Sequence, residues 1–590
     1  MNKILYRLLV CFYILAFIEL NTLETDADES LPDYHQELTE NPLGINHASK
    51  EELSQIPGLT NKEINYIISY RKKHHISDKQ DLLRLGISEI KVEEISNMIR
   101  FEKLITKSFS WISLWKFELS KADYRSPIRS YQKGEAEWGC FQAGFLADKD
   151  PGESRLTDFY SWHLMYKGEG ILRRILIGKY QISWGLGLLF SSPLGSPRSY
   201  LTSGLSLKAG NVIKPYRSSF ECWEEQGTSV SIGWKNFTSD LFYSVNNLDI
   251  RADSSGITSF DESGLHLDNK TILAKKAIMG GNLQFRTKTL ALGLTTTNIE
   301  FSKPFSNPEF PQKYLAVSLF SNWEKDRFSV QSELLYLASR WLGLASMRFR
   351  SENLTQLLLI RYYPNDIPSW QSNSIAVKKP LGNEQGIIYG VELALLRDLT
   401  ALFYVDLWEH PQTRYYEKMP TRGREFYLQL KWYRKPDQIK LIMRQKNKEV
   451  YTSSEGKTIR EVRQQTYRLE WQHYFKTIEF KTRIEFGCEY YPASGSYRKG
   501  LLISSNISWK YSFWKINAQF LPYHADILMY PYFYDVTSQG SSRGINGDGL
   551  YTAVILQFKI LPGMSLETRY SQEFGKSDSK AFSVRTQLNF

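Results

Sequence analysis

The feature that most constrains this chain is a two-residue rhythm that recurs from about residue 106 to the end. Ile478, Phe480, Ile484, Phe486, Cys488 and Tyr490 alternate with Glu479, Lys481, Arg483, Glu485 and Glu489. Ile503, Ile507, Trp509, Tyr511 and Phe513 alternate with Ser504, Asn506, Ser508, Lys510 and Ser512. Val554, Leu556, Phe558 and Ile560 do so with Ile555, Gln557 and Lys559. Successive side chains of a strand point to opposite faces, so each strand has one apolar and one largely polar face. Two architectures satisfy this. A soluble sandwich turns the polar face to outside water, whereas a closed barrel in a membrane turns the apolar face to lipid and encloses the polar one. Alternation by itself does not choose.

Three other features favour the barrel. The chain opens with Lys3 and Arg7, then the apolar run Leu8 to Ile18, then acidic residues. This is the order of a secretory signal peptide, which we assign to residues 1–22. Residues 23–40 hold no Lys or Arg and read as an acidic linker. The alternating runs often exceed ten residues, the length a tilted strand needs to cross a bilayer. Finally, the chain ends Phe582-Ser-Val584-Arg-Thr586-Gln-Leu588-Asn-Phe590, an alternating strand with a terminal Phe that resembles the closing-strand signal of outer-membrane barrels. Mean hydropathy is only −0.39, which a barrel tolerates because its two faces cancel. Aromatic residues make up 14% of the chain and suit the girdles of such a wall. Residues 106–590 accommodate about 20–24 strands. Short connections such as Lys559-Ile-Leu-Pro562-Gly563 are expected as periplasmic turns, and segments near 191–226, 250–275, 364–385 and 535–548 as extracellular loops. The expected fold is mainly β: a large antiparallel transmembrane β-barrel in a bacterial outer membrane.

Residues 41–105 follow a different rule. Ser49-Lys-Glu-Glu52 and Thr60-Asn-Lys-Glu63 are capping boxes that open helices, and Ile56-Pro57-Gly58 ends the first. Ile64, Ile67 and Ile68 form a buried stripe. Asp81-Leu-Leu-Arg-Leu-Gly86-Ile-Ser88 repeats the helix–turn–helix logic and leads to Ile90, Ile95 and Ile99 as core candidates. A small all-α domain is expected, on the periplasmic side because an even strand count puts both barrel ends there.

Ile45-Asn46-His47-Ala48-Ser49-Lys-Glu-Glu-Leu53, followed by Ile56-Pro57-Gly58-Leu59, resembles the tandem helix-hairpin-helix domain of ComEA-like competence proteins, and Asp81-Leu82-Leu83 with Gly86-Ile87 fits the same pattern. The resemblance implies DNA binding without sequence preference. Backbone N–H groups at the hairpin turns, where a helix begins, attract phosphate. On these positions the candidate contacts are Gly58, Leu59, Thr60 and Lys62 at the first turn, Gly86, Ile87, Ser88 and Lys91 at the second, and the basic run Arg71, Lys72 and Lys73. The family has a second glycine in each turn where this chain has Thr60 and Ser88, which hinders close backbone approach. Residues 41–105 carry ten Lys and Arg against nine Asp and Glu, so the segment lacks the excess of basic charge usual in DNA-binding domains.

Residues 171–190, with Lys214-Pro-Tyr-Arg217-Ser-Ser, look similar to a family of large outer-membrane proteins that join a helix-hairpin-helix domain to a long β region. Lys179 and Leu186 stand where that family tends to carry an acidic residue and a glutamine. Glycines at 178, 185 and 187 are expected to let the wall bend or a loop pack inward.

No catalytic constellation stands out, so the chain is read as a non-enzyme; His163, His410, His473 and His524 are the histidines available for an Asp/His or Ser/His pair at a barrel rim. No Cys/His cluster suggests a metal, and no cofactor is expected. The partners expected are outer-membrane lipid and, through the helical domain, either a periplasmic protein docked by a pore or scaffold, or incoming DNA. The net charge of +11 permits a polyanion without requiring one.

Overall fold

In this computed structural model the described residues run from 42 to 589, apart from short stretches mostly in loops, of which 192–200 and 262–271 are the longest. The proposed signal peptide and acidic linker lie outside them.

Among the described residues, twenty-four antiparallel strands pair into one closed barrel. The first wall strand, Lys107–Ser120, pairs with Ile128–Trp138 on one side and with the last strand, Ser579–Asn589, on the other. The C-terminal strand read from sequence as a closing strand therefore closes the ring. Two-residue turns such as Gly139-Cys140, Lys235-Asn236, Asp326-Arg327 and Pro562-Gly563 all lie at the end where the barrel begins and finishes. The long connections, 186–209, 253–271, 302–312, 364–383 and 530–544, all emerge at the other end.

The wall inverts the burial of a soluble protein. In strand Phe237–Ala252, Asp240, Ser244 and Asn246 are buried, while Leu241 and Tyr243 are 57% and 52% exposed. The pattern repeats around the ring, with Leu334, Ile360, Tyr362, Leu407, Phe520 and Phe582 all facing out. A sandwich in water would have the opposite sense, so the outer face is a lipid face.

The lumen departs from the sequence reading in one respect. Its side is not uniformly polar: Leu335, Leu337, Leu342, Leu344, Leu357 and Leu359 point inward and are buried. They pack in one cluster with Leu186, Leu188, Leu189, Phe190, Ile367, Ile375 and Leu381. Those partners belong to two connections that fold back inside the barrel, so this stretch of lumen is a packed core rather than a water channel.

The N-terminal segment has its own core of Ile45, Leu53, Ile56, Ile64, Ile67, Ile76, Leu82, Ile87, Val92, Ile95 and Ile99. Its two described helices are α1 (Asn61–Arg71) and α2 (Lys79–Arg84). Asp78 caps α2 by accepting from the N–H groups of Gln80 and Asp81 at 2.8 and 3.2 Å, an ordinary N-cap. Leu43–Gly44 pairs in parallel with Ile99–Arg100, tying the segment's two ends together. Ile64 and Ile67 are buried and Ile68 packs at the core's edge; Ile90 lies outside the described residues.

The lipid assignment makes a prediction. Leu334 sits mid-strand on the outer face. Leu334→Arg is expected to destabilise the folded barrel by about 2–4 kcal/mol in lipid vesicles, as arginine does near a bilayer midplane. Glu352→Arg, in a tight turn, should be close to neutral. Equal urea midpoints for the two variants would contradict the assignment.

Candidate functional site

Two places among the described residues bear most directly on the roles expected from the sequence: the turns of the helical segment, and the contacts that hold the inserted loops within the lumen.

In the helical segment the described members of the predicted contact set are divided between its core, its internal contacts and its exposed surface. Arg71, the last residue of α1, turns its guanidinium onto the segment itself. Nη1 donates to the Ile45 carbonyl at 2.8 Å and Nη2 to that of Ala48 at 2.6 Å. Lys91 pairs with Glu63 at 2.7 Å. Burial pulls its ammonium below the ordinary value, Arg350 adds to that, and Glu63 opposes both. Ile87 is buried, and its N–H donates to the Leu82 carbonyl at 3.3 Å. Gly86 is exposed in the left-handed region, φ +83°. Leu59 packs against the core's edge. Lys72 and Lys73 are exposed beyond the end of α1, where His74 stacks on Tyr70 at 4.8 Å. Gly58, Thr60 and Ser88 lie outside the described residues, as does the side chain of Lys62. The segment lies at the tight-turn mouth, because Arg350 and Glu392, near the turn ends of their wall strands, are within electrostatic reach of Lys91.

Inside the barrel, the segments 186–191 and 371–377 hydrogen-bond to one another. The Asn373 N–H donates to the Gly187 carbonyl and the Ser191 N–H to the Gln371 carbonyl, both at 3.1 Å. The Ser372 hydroxyl donates to the Leu188 carbonyl. Three buried wall carboxylates hold the pair in place. Glu333 accepts from the N–H groups of Leu186 (2.6 Å) and Leu188 (3.3 Å) and from the Ser318 hydroxyl (2.7 Å). Glu225 accepts from Gln371 Nε2 and Lys276 Nζ, each at 2.8 Å. Glu384 accepts from the Val377 N–H at 2.9 Å and Arg361 Nε at 2.6 Å, and Arg361 also donates to Asp406 at 2.8 Å. Gly185 (φ +64°) and Gly187 (φ +82°) give the chain the turn that aims two N–H groups at one carboxylate. A Cβ on Gly185 would fall 2.6 Å from the Glu333 carboxyl carbon.

The sequence reading expected these glycines to let the wall bend or a loop pack inward, and at Gly185 and Gly187 the structure shows the second. It did not find Glu333, Glu225 or Glu384. Lys179, which replaces the acidic residue of the resembled family, pairs with Glu224 at 2.9 Å, and Leu186 is buried. The four histidines are dispersed. His163 and His410 are buried in the lumen. His473 lies 2.6 Å from Asp437 beside Phe475, and His524 contacts Asp548 in an exposed pair. Of the cysteines, Cys140 is exposed and Cys488 buried, both free thiols.

A closed barrel with an apolar exterior spans a membrane, and barrels of this kind belong to the bacterial outer membrane. This is an outer-membrane protein. No protein-family model matches the chain, and no curated protein does. Among solved structures, it is similar to the ferripyoverdine receptor of the outer membrane of Pseudomonas aeruginosa, at 11% identity over 82% of this chain and 72% of that one, TM-score 0.40. It is also similar to the copper transporter OprC, at 7% identity over 83% and 81%, TM-score 0.42.

Removing the Glu333 carboxylate leaves two buried N–H groups without an acceptor, at a cost of about 1–3 kcal/mol each. Glu333→Leu is expected to release segment 186–191 while the ring stays closed. Cysteines introduced at Ser191 and Asn373, whose hydroxyl and carbonyl oxygens lie 3.5 Å apart, should cross-link readily under mild oxidation with Glu333 present and much more slowly in the Glu333→Leu background. Equal rates would show that the carboxylate does not hold the loop.

Proposed function

We propose that the chain is a pore or scaffold of the outer membrane that is held shut by its own loops and docks a periplasmic partner through its N-terminal helical segment. The observation that carries this reading is the pair of inserted segments bonded to each other and to Glu333, Glu225 and Glu384 across the lumen. An open passive pore has no use for an apolar core in its interior. A barrel that opens on demand needs an element that can leave, and the inserted segments are joined to the wall by a few polar contacts and side-chain packing rather than by strand pairing. The short turns mark the periplasmic end, so the helical segment at that mouth is where a periplasmic partner would engage. In planar bilayers the wild-type protein should show little steady conductance, whereas a variant with residues 186–209 replaced by a short Gly-Ser link should show discrete openings. Equal conductance from both would remove the reading.

A second reading keeps the helix-hairpin-helix resemblance and assigns the segment to DNA capture during uptake. Exposed Lys72 and Lys73 favour it; Arg71 and Lys91, both engaged within the segment, do not strengthen it. Full-length protein in detergent should then bind duplex DNA with an affinity that falls steeply as salt rises, and Lys72→Glu with Lys73→Glu should reduce the log–log slope by about two. Binding that is absent, or indifferent to salt, would exclude DNA.

A further inference from the structure

The long connection 530–544 also enters the lumen, where one wall residue holds it. Gln519 Nε2 donates to the Tyr532 carbonyl at 2.7 Å, and Gln519 Oε1 accepts from the Tyr534 N–H at 3.0 Å. Beside Tyr534, toward the tight-turn end, lies a recess of about 70 Å³. Its walls are strands Ile478–Tyr491, Ser496–Tyr511, Trp514–Met529 and Ile545–Leu561.

Strand register explains the recess. One row across the four strands reads Lys481, Asn506, Gln519, Ala553. The next, two residues nearer the turns, reads Glu479, Ser508, Asn517, Ile555. Lys515 stands one row further on, opposite Gln557. These rows face the lumen, since Gln519 meets the inserted segment and Ala553 and Ile555 are buried. Short side chains at Asn506, Ser508 and Asn517 leave a hollow floor, and the longer Lys481 and Lys515 flank it. All five are half-buried, so they keep surface that a ligand can touch.

The recess is positive. Among the described residues neither the Lys481 nor the Lys515 ammonium forms a hydrogen bond or an ion pair. Glu470 and Glu479 are within electrostatic reach of Lys481, and Glu567 of Lys515. Each of these carboxylates has nearer partners. Glu470 lies 3.9 Å from Lys440 and 3.8 Å from Arg468. Glu479 accepts from Gln472 at 2.6 Å, and Glu567 pairs with Arg585 at 3.2 Å. Glu485 is shared by Arg468 and Arg483. Six cations therefore stand against four carboxylates, and the excess equals the two unpaired lysines. Clefts lined by one sign of charge with low-dielectric walls concentrate ions of the other sign.

We propose that this recess binds a phosphate group, with Lys481 and Lys515 donating to it from two sides and Ser508 and Asn517 from the floor. The donors fix the class of anion. An ammonium is a compact point charge without the planar fork that matches a carboxylate. Two ammoniums and a floor of hydroxyl and amide groups approach from several directions, which the four oxygens of a tetrahedral anion can meet together. The volume also fits: one water needs about 10–15 Å³ of such space, so the recess has room for the five heavy atoms of a phosphate. It is formed in the closed barrel, so its test is separate from the bilayer recordings.

The test is calorimetric titration of the full-length protein in detergent and chloride buffer, with inorganic phosphate, glycerol phosphate and acetate. Saturable binding of inorganic phosphate is expected, about tenfold or more tighter than acetate, one tenfold step being the scale of a single hydrogen bond to a charged group. Lys481→Gln and Lys515→Gln should each weaken it by a similar factor while the heat-modifiable gel mobility of the closed barrel is kept. Lys559→Gln removes the same charge at the same mouth, outside the recess, and should leave binding unchanged. If a recess variant fails to fold, Ser508→Leu, which fills the floor, gives the same readout. Glycerol phosphate binding as tightly as inorganic phosphate assigns the recess to the head of a larger ligand, and weaker binding assigns it to the free ion. No saturable binding of inorganic phosphate, acetate binding as tight, or an equal loss in Lys559→Gln would each overturn the proposal.

Discussion

In a bilayer there is no water to satisfy backbone N–H and C=O groups, so every strand needs two neighbours and the sheet must close on itself. The pairing of Lys107–Ser120 with Ser579–Asn589 meets that requirement. An even number of antiparallel strands brings the first and last together at one pole, together with the helical segment that precedes them. The same closure makes the outer face of every strand a lipid face. This is why Leu241 is exposed and Asp240, one residue earlier, is buried.

Closure satisfies the wall but not whatever folds inside it. Segments 186–191 and 371–377 run through the interior outside the ladder of the sheet, and their backbone groups need partners of their own. They find them in each other and in carboxylates on the inward positions of the wall. A carboxylate accepts several hydrogen bonds at once, so one Glu333 satisfies two amides and a hydroxyl. Buried charge is costly without compensation. At Glu225 and Glu384 the compensation is a cation, Lys276 or Arg361; at Glu333 it is the set of converging donors that the glycine turn creates. Apolar packing from Leu186, Leu188 and Phe190 onto the inward leucines then excludes water from these contacts.

Much of the wall was legible in the sequence because its cause is local. The period-two pattern depends only on neighbouring residues, and so does the Ile64/Ile67 stripe of α1. The lumen was not, because its contacts join distant positions: Leu186 and Glu333 are separated by 147 residues and Ser372 and Leu188 by 184. Glu333 on its strand looks like any inward polar residue. One signal was available and points the right way. Segments expected to be extracellular loops contain Ile367, Ile375, Ala376, Val377 and Leu381, and apolar residues of this kind are poor company for water. Leucines at inward wall positions, such as Leu357 and Leu359, say the same from the other side. Each set is anomalous alone, and together they describe a loop packed into a lumen. For the helical segment, the basic run Arg71-Lys72-Lys73 read as a single patch. The structure divides it, because only Arg71 is placed to reach the carbonyls of Ile45 and Ala48.

The two poles of the barrel share wall strands. Strand Glu384–Leu396 carries Glu384, which holds segment 371–377, near one end and Glu392, which faces Lys91 of the helical segment, toward the other. Eight residues of extended chain separate them, about 27 Å at the rise of an antiparallel strand. A strand hydrogen-bonded on both edges transmits little displacement, since moving it breaks two ladders. A partner at the helical pole therefore cannot free the loops by pulling on the wall. Under the proposed function such a partner acts within the lumen, on the inserted segments themselves, along the inward faces of the strands.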